Sequence, residues 1–178
     1  TSQAFEYDGL ENQMEGKHRP GHFDGVGTIV KRLFEIVQPT QAYFGEKDFQ
    51  QLQIVKKLVS KHKMPLSITG CPIFREESGL AMSSRNERLS TEARVKAALI
   101  FEILNDAITV FKTHSTQETI SFVEKAFKKH PEFELEYFEI ADEETLLSTE
   151  NKDENNKYRG FIAVFIENIR LIDNISLN

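Results

Sequence analysis

Three short strings in this sequence bring together the residue types that polyphosphate chemistry needs. The first is Arg19-Pro20-Gly21-His22-Phe23-Asp24-Gly25-Val26, where glycine punctuation leads into an apolar, periodic segment. Free amides and the dipole at a helix start favour an anion, so Arg19 and His22 there can help hold a phosphate or carboxylate. Read locally instead, Pro20 and Gly21 shape a turn, His22 caps or packs, and Arg19 is a solvated charge. The second string is Phe44-Gly45-Glu46-Lys47-Asp48-Phe49-Gln50-Gln51. Gly45 permits close backbone approach, and Lys47 supplies a compact ammonium suited to polyphosphate oxygens. Asp48 can meet ribose hydroxyls, orient Lys47 or approach Mg2+, while Gln51, one turn into the next helix, offers a donor and an acceptor to a polar substrate. The plain alternative makes Glu46 and Asp48 partners of the helix dipole and leaves Lys47 in solvent.

The third string runs from Arg75 through Glu76, Glu77, Ser78, Gly79, Leu80, Ala81 and Met82 to Ser83-Ser84-Arg85-Asn86. Two adjacent hydroxyls followed by an arginine in a glycine-containing loop can donate several hydrogen bonds to phosphate oxygens, the arginine bidentately. Charge that builds up on a transferring adenylyl group and departing pyrophosphate needs such donors. The competing view is a serine-rich loop ahead of a helix that Ser90 caps.

These strings need elements to position them. Val26, Ile29, Val30, Leu33, Phe34 and Val37 recur at spacings of three and four, which predicts a helix from Phe23 that Pro39 stops. Ala42-Tyr43-Phe44 reads as a buried strand, Gly45 to Asp48 as a turn, and Leu52, Val55, Leu58 and Val59 as a second helical stripe. Leu66 to Phe74 alternates and reads as the next strand. This order is that of a parallel α/β sheet, whose ligands collect at the carboxyl ends of strands, and it places the Gly45 turn where chemistry is expected. Beyond Ser90 the spacing predicts one long helix over 91–112 with Val95, Ala98, Leu99, Ile103 and Leu104 as its apolar stripe. Ser115 and Glu118 stand at capping-box spacing and open a further helix ending near His130-Pro131. Phe133 to Ile140, Gly160 to Ile166 and Ile169 to Ile172 read as strands, with a polar hairpin-like loop over 150–157. The fold class is therefore α/β followed by a small α+β domain, with the boundary near Gly70 to Arg75: residues 1–72 and 73–178.

A chain of 178 residues with 39% hydrophobic and 28% charged residues can bury one sizeable core or two small ones. Its net charge of -6, with basic residues dispersed, gives a nucleic-acid partner no support and favours a small molecule. A single cysteine, Cys71, suits a reducing compartment and reads as a small buried residue; cytoplasm is the expected location. No apolar run reaches the roughly 18 residues of a membrane helix, and no signal sequence opens the chain. The start at Thr1 reads as cut by design or by processing, and 1–12 carries no start signal for a domain. Phe101, Phe111, Phe122 and Phe127 read as core, and Asp142-Glu143-Glu144 as a solvent-facing turn or helix start. His18, His62, His114 and His130 show no metal-ligand spacing, so the sequence names no metal ligand.

Taken together, in this order and at these separations, the strings resemble the pantothenate synthetase family, which carries R-P-G-H-F-x-G-V, then F-G-E-K-D-[FY]-Q-Q, then R-x-x-x-G-L-A-x-S-S-R-N. The ending Arg170-Leu171-Ile172-Asp173-Asn174 is similar to that family's last strand. The resemblance implies part of a Rossmann-like nucleotidylyltransferase domain followed by a small lid domain, assembled as a homodimer. It implies an ATP- and Mg2+-dependent ligase that activates pantoate as pantoyl adenylate and passes it to β-alanine, releasing pyrophosphate and AMP. By that analogy Gly45, Glu46, Lys47 and Asp48 contact ATP, with Lys47 on phosphate and Asp48 on ribose. Gln51 holds pantoate, Ser83, Ser84 and Arg85 correspond to a K-M-S-K-S-like phosphate loop, and Phe74 and Met82 border the nucleotide. The expected geometry has the Lys47 turn and the Arg85 loop meeting one triphosphate. The family's H-x-G-H element and its upstream substrate-holding glutamine are not in this sequence, so the 178 residues alone are expected to be inactive. The alternatives are another nucleotidylyltransferase with a different acceptor, or a non-catalytic dimerisation or lid fragment.

Overall fold

A computed structural model describes residues 3–178, which divide into two compact units, Thr1–Pro72 and Ile73–Asn178. In the first, helices α1 (Met14–His18) and α2 (His22–Val37) precede strand β1 (Gln41–Gly45), helix α3 (Phe49–Lys61) and strand β2 (Ser67–Cys71). The strands pair in parallel, from Gln41 opposite Ser67 to Gly45 opposite Cys71, and α3 is the crossover such a pair requires. Phe34 of α2 and Val55 and Val59 of α3 form a small core that Ala42, Phe44 and Ile68 of the strands pack against. Helix α2 ends where Gln38 turns left-handed, at φ 49°, and returns its N–H to Phe34 O. Pro39 follows and has no N–H to continue the ladder.

The apolar residues of α2 divide between two faces. Val26, Val30 and Phe34 pack inward, whereas Ile29, Leu33, Ile36 and Val37 are 53–69% exposed. Strand β2 stops at Cys71 because Pro72 cannot donate to a ladder, three residues short of the expected Phe74. Cys71 itself is only partly buried, which corrects its reading as a core residue. The opening residues, silent in the sequence, are packed down: Tyr7, Leu10 and Met14 are no more than 4% exposed.

The second unit opens on a short hairpin and continues through α4 (Thr91–Lys96), α5 (Leu99–Thr113) and α6 (Thr116–Phe127) into strands β3 (Phe133–Asp142), β4 (Tyr158–Ile166) and β5 (Ile169–Ser176). The strands form an antiparallel meander in the order β3-β4-β5, and α5 and α6 supply Ile100, Leu104, Phe111, Val123 and Phe127 to the core on it. Between β4 and β5 both turn residues, Glu167 and Asn168, have positive φ of 50° and 61°, the left-handed pair that matches the twist of a tight hairpin.

The single helix expected over 91–112 is broken. Around Ala97 and Ala98 the bonding tightens to i→i+3, from Ala98 N to Val95 O and from Ile100 N to Ala97 O. Buried Ala93 and Ala97 set the inner face of α4, which puts Val95 on the opposite side and 71% exposed, outside the stripe predicted for it. Phe101 is likewise not core: its ring lies 3.9 Å beneath the Arg75 guanidinium. The run Asp142-Glu143-Glu144 does form a turn, but Glu143 is only partly exposed; it accepts from Nε of Arg159, a residue 8% exposed, at 2.8 Å. Both serine caps are present: Ser90 Oγ accepts from Ala93 N, and Ser115 and Glu118 complete a reciprocal capping box.

Candidate functional site

In the first unit the second string occupies the junction of a strand and a helix. Gly45 is the last residue of β1, Glu46–Asp48 make one 3-10 turn, and Phe49 starts α3. Gly45 has an ordinary extended backbone, φ -69°, and a Cβ placed on it meets nothing within 4 Å. Neither strain nor packing demands glycine there; open space lies in front of the backbone, where a ligand can approach. Glu46 behaves otherwise. Its Oε1 would lie 3.2 Å from a Cβ on Gly70, so the side chain closes over β2. Lys47 is partly buried, Asp48 exposed and Gln51 partly buried at the first turn of α3.

Arg19 and His22 stand beside this turn. Arg19 Nη1 is 3.2 Å from His22 Nε2, and Glu15 flanks Arg19 at 3.8 Å. Because a guanidinium only donates, Nε2 accepts, which places the ring proton on Nδ1. Burial and then the Arg19 charge push the imidazole below its usual range, against the pull of Glu15 and Asp48. His22 is therefore neutral at pH 7 and feels the Asp48 carboxylate, so the first and second strings share one neighbourhood. A cavity of about 240 Å³ lined by Glu11, Asn12, Arg19, His22 and Asp24 adjoins them.

Gln50 escaped the sequence reading. It is 4% exposed; its Nε2 donates to Leu10 O at 2.9 Å and Gln13 O at 2.8 Å, and its Oε1 accepts from Glu15 N at 3.0 Å. The side chain straps the 10–15 segment to the start of α3, next to Gln51. Only the doubling of glutamine hinted that one of the two faces inward.

In the second unit the third string is a hairpin with a loop appended. Arg75 and Ala81 pair antiparallel, Glu76 N donates to Leu80 O, and Met82 N donates to Phe74 O. Gly79 closes the turn at φ 89°, and a Cβ there would lie 2.3 Å from the Phe101 ring. Arg75 anchors the hairpin through both oxygens of Asp173, at 2.7 and 3.1 Å, and through Gly79 O at 3.0 Å. Cross-strand neighbours Phe74 and Met82 are 73% and 52% exposed, an apolar pair held outward. Ser83 Oγ accepts from Arg85 N at 3.2 Å, Ser84 is exposed, and Arg85 is partly buried. Among the described residues no group of three or more His, Cys, Asp or Glu is arranged to hold a metal ion, and no helix is long and apolar enough to cross a membrane.

A parallel strand–turn–helix with its polar cluster at the strand's carboxyl end, joined in sequence to a small antiparallel α+β unit, defines a nucleotidylyltransferase-like fold. The chain belongs to the pantoate-beta-alanine ligase family, whose model matches residues 3–176. It is 64% identical over 177 residues to the pantothenate synthetase of Flavobacterium psychrophilum and 56% identical to that of Christiangramia forsetii, covering 99% of this chain and 63% and 62% of theirs. The crystal structure of pantothenate synthetase from Thermus thermophilus matches with a TM-score of 0.90 at 42% identity, over 99% of this chain and 63% of that one. The Francisella tularensis pantoate-beta-alanine ligase, complexed with beta-gamma ATP and beta-alanine, matches at 0.66 and 30% identity, over 99% and 58%. The chain thus spans somewhat less than two thirds of the length of these relatives.

Proposed function

We propose that this chain is the nucleotide-handling portion of a pantothenate synthetase, which joins pantoate to β-alanine with cleavage of ATP. The observation that carries the reading is the strand end at Gly45, open in front of its backbone and followed at once by Lys47 and Asp48. In the first step a pantoate carboxylate oxygen attacks the α-phosphorus of ATP and the bond to the β-phosphate oxygen breaks, giving pantoyl adenylate and pyrophosphate. In the second the β-alanine amine attacks the acyl carbon, AMP leaves with the bridging oxygen, and the new amide loses a proton.

In this scheme Gly45 and Glu46 present backbone to ATP, Lys47 meets its phosphates and Asp48 its ribose. Ser83, Ser84 and Arg85 supply donors where charge develops on the phosphates, and Phe74 and Met82 lie against the nucleotide. Gln51 orients pantoate. Arg19 and neutral His22 offer one cation and one hydrogen-bonding ring to a carboxylate or phosphate. With no protein metal cluster among the described residues, Mg2+ would be held chiefly by phosphate oxygens and water, as that ion prefers. A cytoplasmic homodimer is the assembly expected of it.

None of the five histidines stands in an H-x-G-H pattern, so turnover by these 178 residues alone should be negligible. ATP binding should survive in part. Titrating the chain with Mg-ATP should raise its melting temperature, and Lys47→Met and Arg85→Met should each reduce that rise. A flat response in the unaltered chain would count against the nucleotide role, and AMP release at the rate of a full-length enzyme would count against incompleteness.

A further inference from the structure

We infer that Glu76, Asn86 and Arg94 form a clamp that sets the conformation of the Met82–Arg85 loop, so that Asn86 and Glu76 are positioning residues for the phosphate donors; this rests on the function proposed above. Asn86 follows Arg85 directly and is 1% exposed. Its Nδ2 donates to Glu76 Oε1 at 2.6 Å and to Ala81 O at 3.1 Å. Both neighbours are acceptors, so only the NH2 group can face them, and the amide orientation is forced. The side chain thereby ties the end of the loop to both strands of the hairpin that precedes it.

Glu76 is itself fixed. Its N–H donates to Leu80 O at 2.9 Å and its carbonyl accepts from Gly79 N at 2.8 Å. Arg94 of α4 grips its carboxylate with two parallel bonds, Nε to Oε2 at 3.1 Å and Nη2 to Oε1 at 3.0 Å. This fork specifies direction as well as charge. Arg94 first, with Asn86 adding to it, holds the Glu76 carboxyl below the usual glutamate range, so it is ionised at neutral pH. Within the closed loop, Ser83 O accepts from Asn86 N at 3.0 Å and Ser83 Oγ from Arg85 N at 3.2 Å. The segment that carries Ser83, Ser84 and Arg85 is thus pinned at both ends and braced across the middle.

Asn86 Oδ1 is buried with no hydrogen-bond partner among the described residues, so the amide is held through its NH2 group alone. That grip sets a fixed distance between hairpin and loop.

The test uses the full-length polypeptide that contains this chain, with steady-state kinetics, melting temperature and the 15N–1H shifts of the Ser83, Ser84 and Arg85 amides. Asn86→Asp turns a carboxylate toward Glu76 and Ala81 O. It should displace those amide shifts and lower kcat by roughly 10²-fold, the scale of an ångström's misplacement, with pantoate and β-alanine KM little changed. Glu76→Gln keeps an oxygen for Asn86 but sets an NH2 group against Arg94 Nε and ends the fork, so it should displace the same amide shifts and lower kcat in the same direction, by less than Asn86→Asp. Variants that fold with lowered melting temperature but unchanged kcat and unchanged loop shifts overturn the clamp. Should Asn86→Asp not fold, Asn86→Ser and Glu76→Gln decide by the same readouts. An unaltered enzyme that does not turn over pantoate would overturn the proposed function instead, and the loop shifts in the ligand-free protein would still judge the clamp.

Discussion

Gln50 and Gln51 are chain neighbours about 100° apart around α3, and that angle gives identical side chains different surroundings. Gln50 satisfies two carbonyls and one amide of the 10–15 segment, so Gln50→Leu should cost about 2–4 kcal/mol in urea melts by stranding them. Gln51→Leu, by contrast, should leave stability within about 0.5 kcal/mol, and under the function proposed above it should raise pantoate KM. Tyr7 gives a second residue-level test. It is 1% exposed, its hydroxyl donates to Phe23 O at 3.0 Å, and burial, helped by Asp24 and Glu11, pushes its pKa up to about 12. The folded state thus keeps a proton that the unfolded state surrenders near the ordinary value of 10. Stability from this group is complete below pH 10 and drains away as pH rises towards 12. The advantage of the unaltered chain over Tyr7→Phe, about 1 kcal/mol at roughly pH 8, should shrink over that window in chemical denaturation. Neither role was legible beforehand, since each depends on a backbone partner 16 to 40 positions away.

At the level of elements, local chemistry was readable and long-range chemistry was not. The Ser115–Glu118 box could be located from spacing because its partners are three residues apart; Ser115→Ala should cost about 1 kcal/mol. The Glu118 carboxyl, accepting from the Ser115 N–H and hydroxyl, is held below its usual range. Its support is therefore present above the ordinary glutamate value and fades as pH falls through the lowered one, which the pH dependence of Ser115→Ala relative to the unaltered chain would reveal. Helix α4 was misjudged because alanine periodicity carries little signal, so Val95 attracted the stripe that Ala93 and Ala97 occupy. Strand β5 was drawn four residues short because Asp173 and Asn174 look like a turn. In the fold Asp173 meets Arg75 and Asn174 Oδ1 accepts from Arg159 at 2.7 Å, which lets both lie buried in a strand. The hairpin turn depends on Gly79 for backbone and for space; Gly79→Ala should destabilise by about 2–4 kcal/mol, measurable as a lowered melting temperature, with part recovered by Phe101→Leu.

For the whole molecule, the order helix, strand, turn, helix, strand, followed by helices and a run of strands, could be drawn from periodicity alone. The contacts that brace the three strings could not be drawn: Gln50 straps the 10–15 segment to the start of α3, and Glu76 and Arg94 hold the hairpin of the second unit, by bonds that no motif spells out. One large-scale property follows from α2, whose outer face shows Ile29, Leu33, Ile36 and Val37 to solvent. Leu33→Lys with Ile36→Glu should leave the melting temperature nearly unchanged, since both side chains already stand in solvent. The Arg75–Asp173 pair has a different consequence. It joins the third residue of the second unit to a position five residues from the last one, so that unit's head and tail are neighbours in space. Chain order there is consequently a matter of wiring rather than of shape. A circular permutant with Asn178 spliced to Ile73 by a few glycines and serines, and new ends opened in the exposed 150–157 segment, should reproduce the same meander and its circular dichroism.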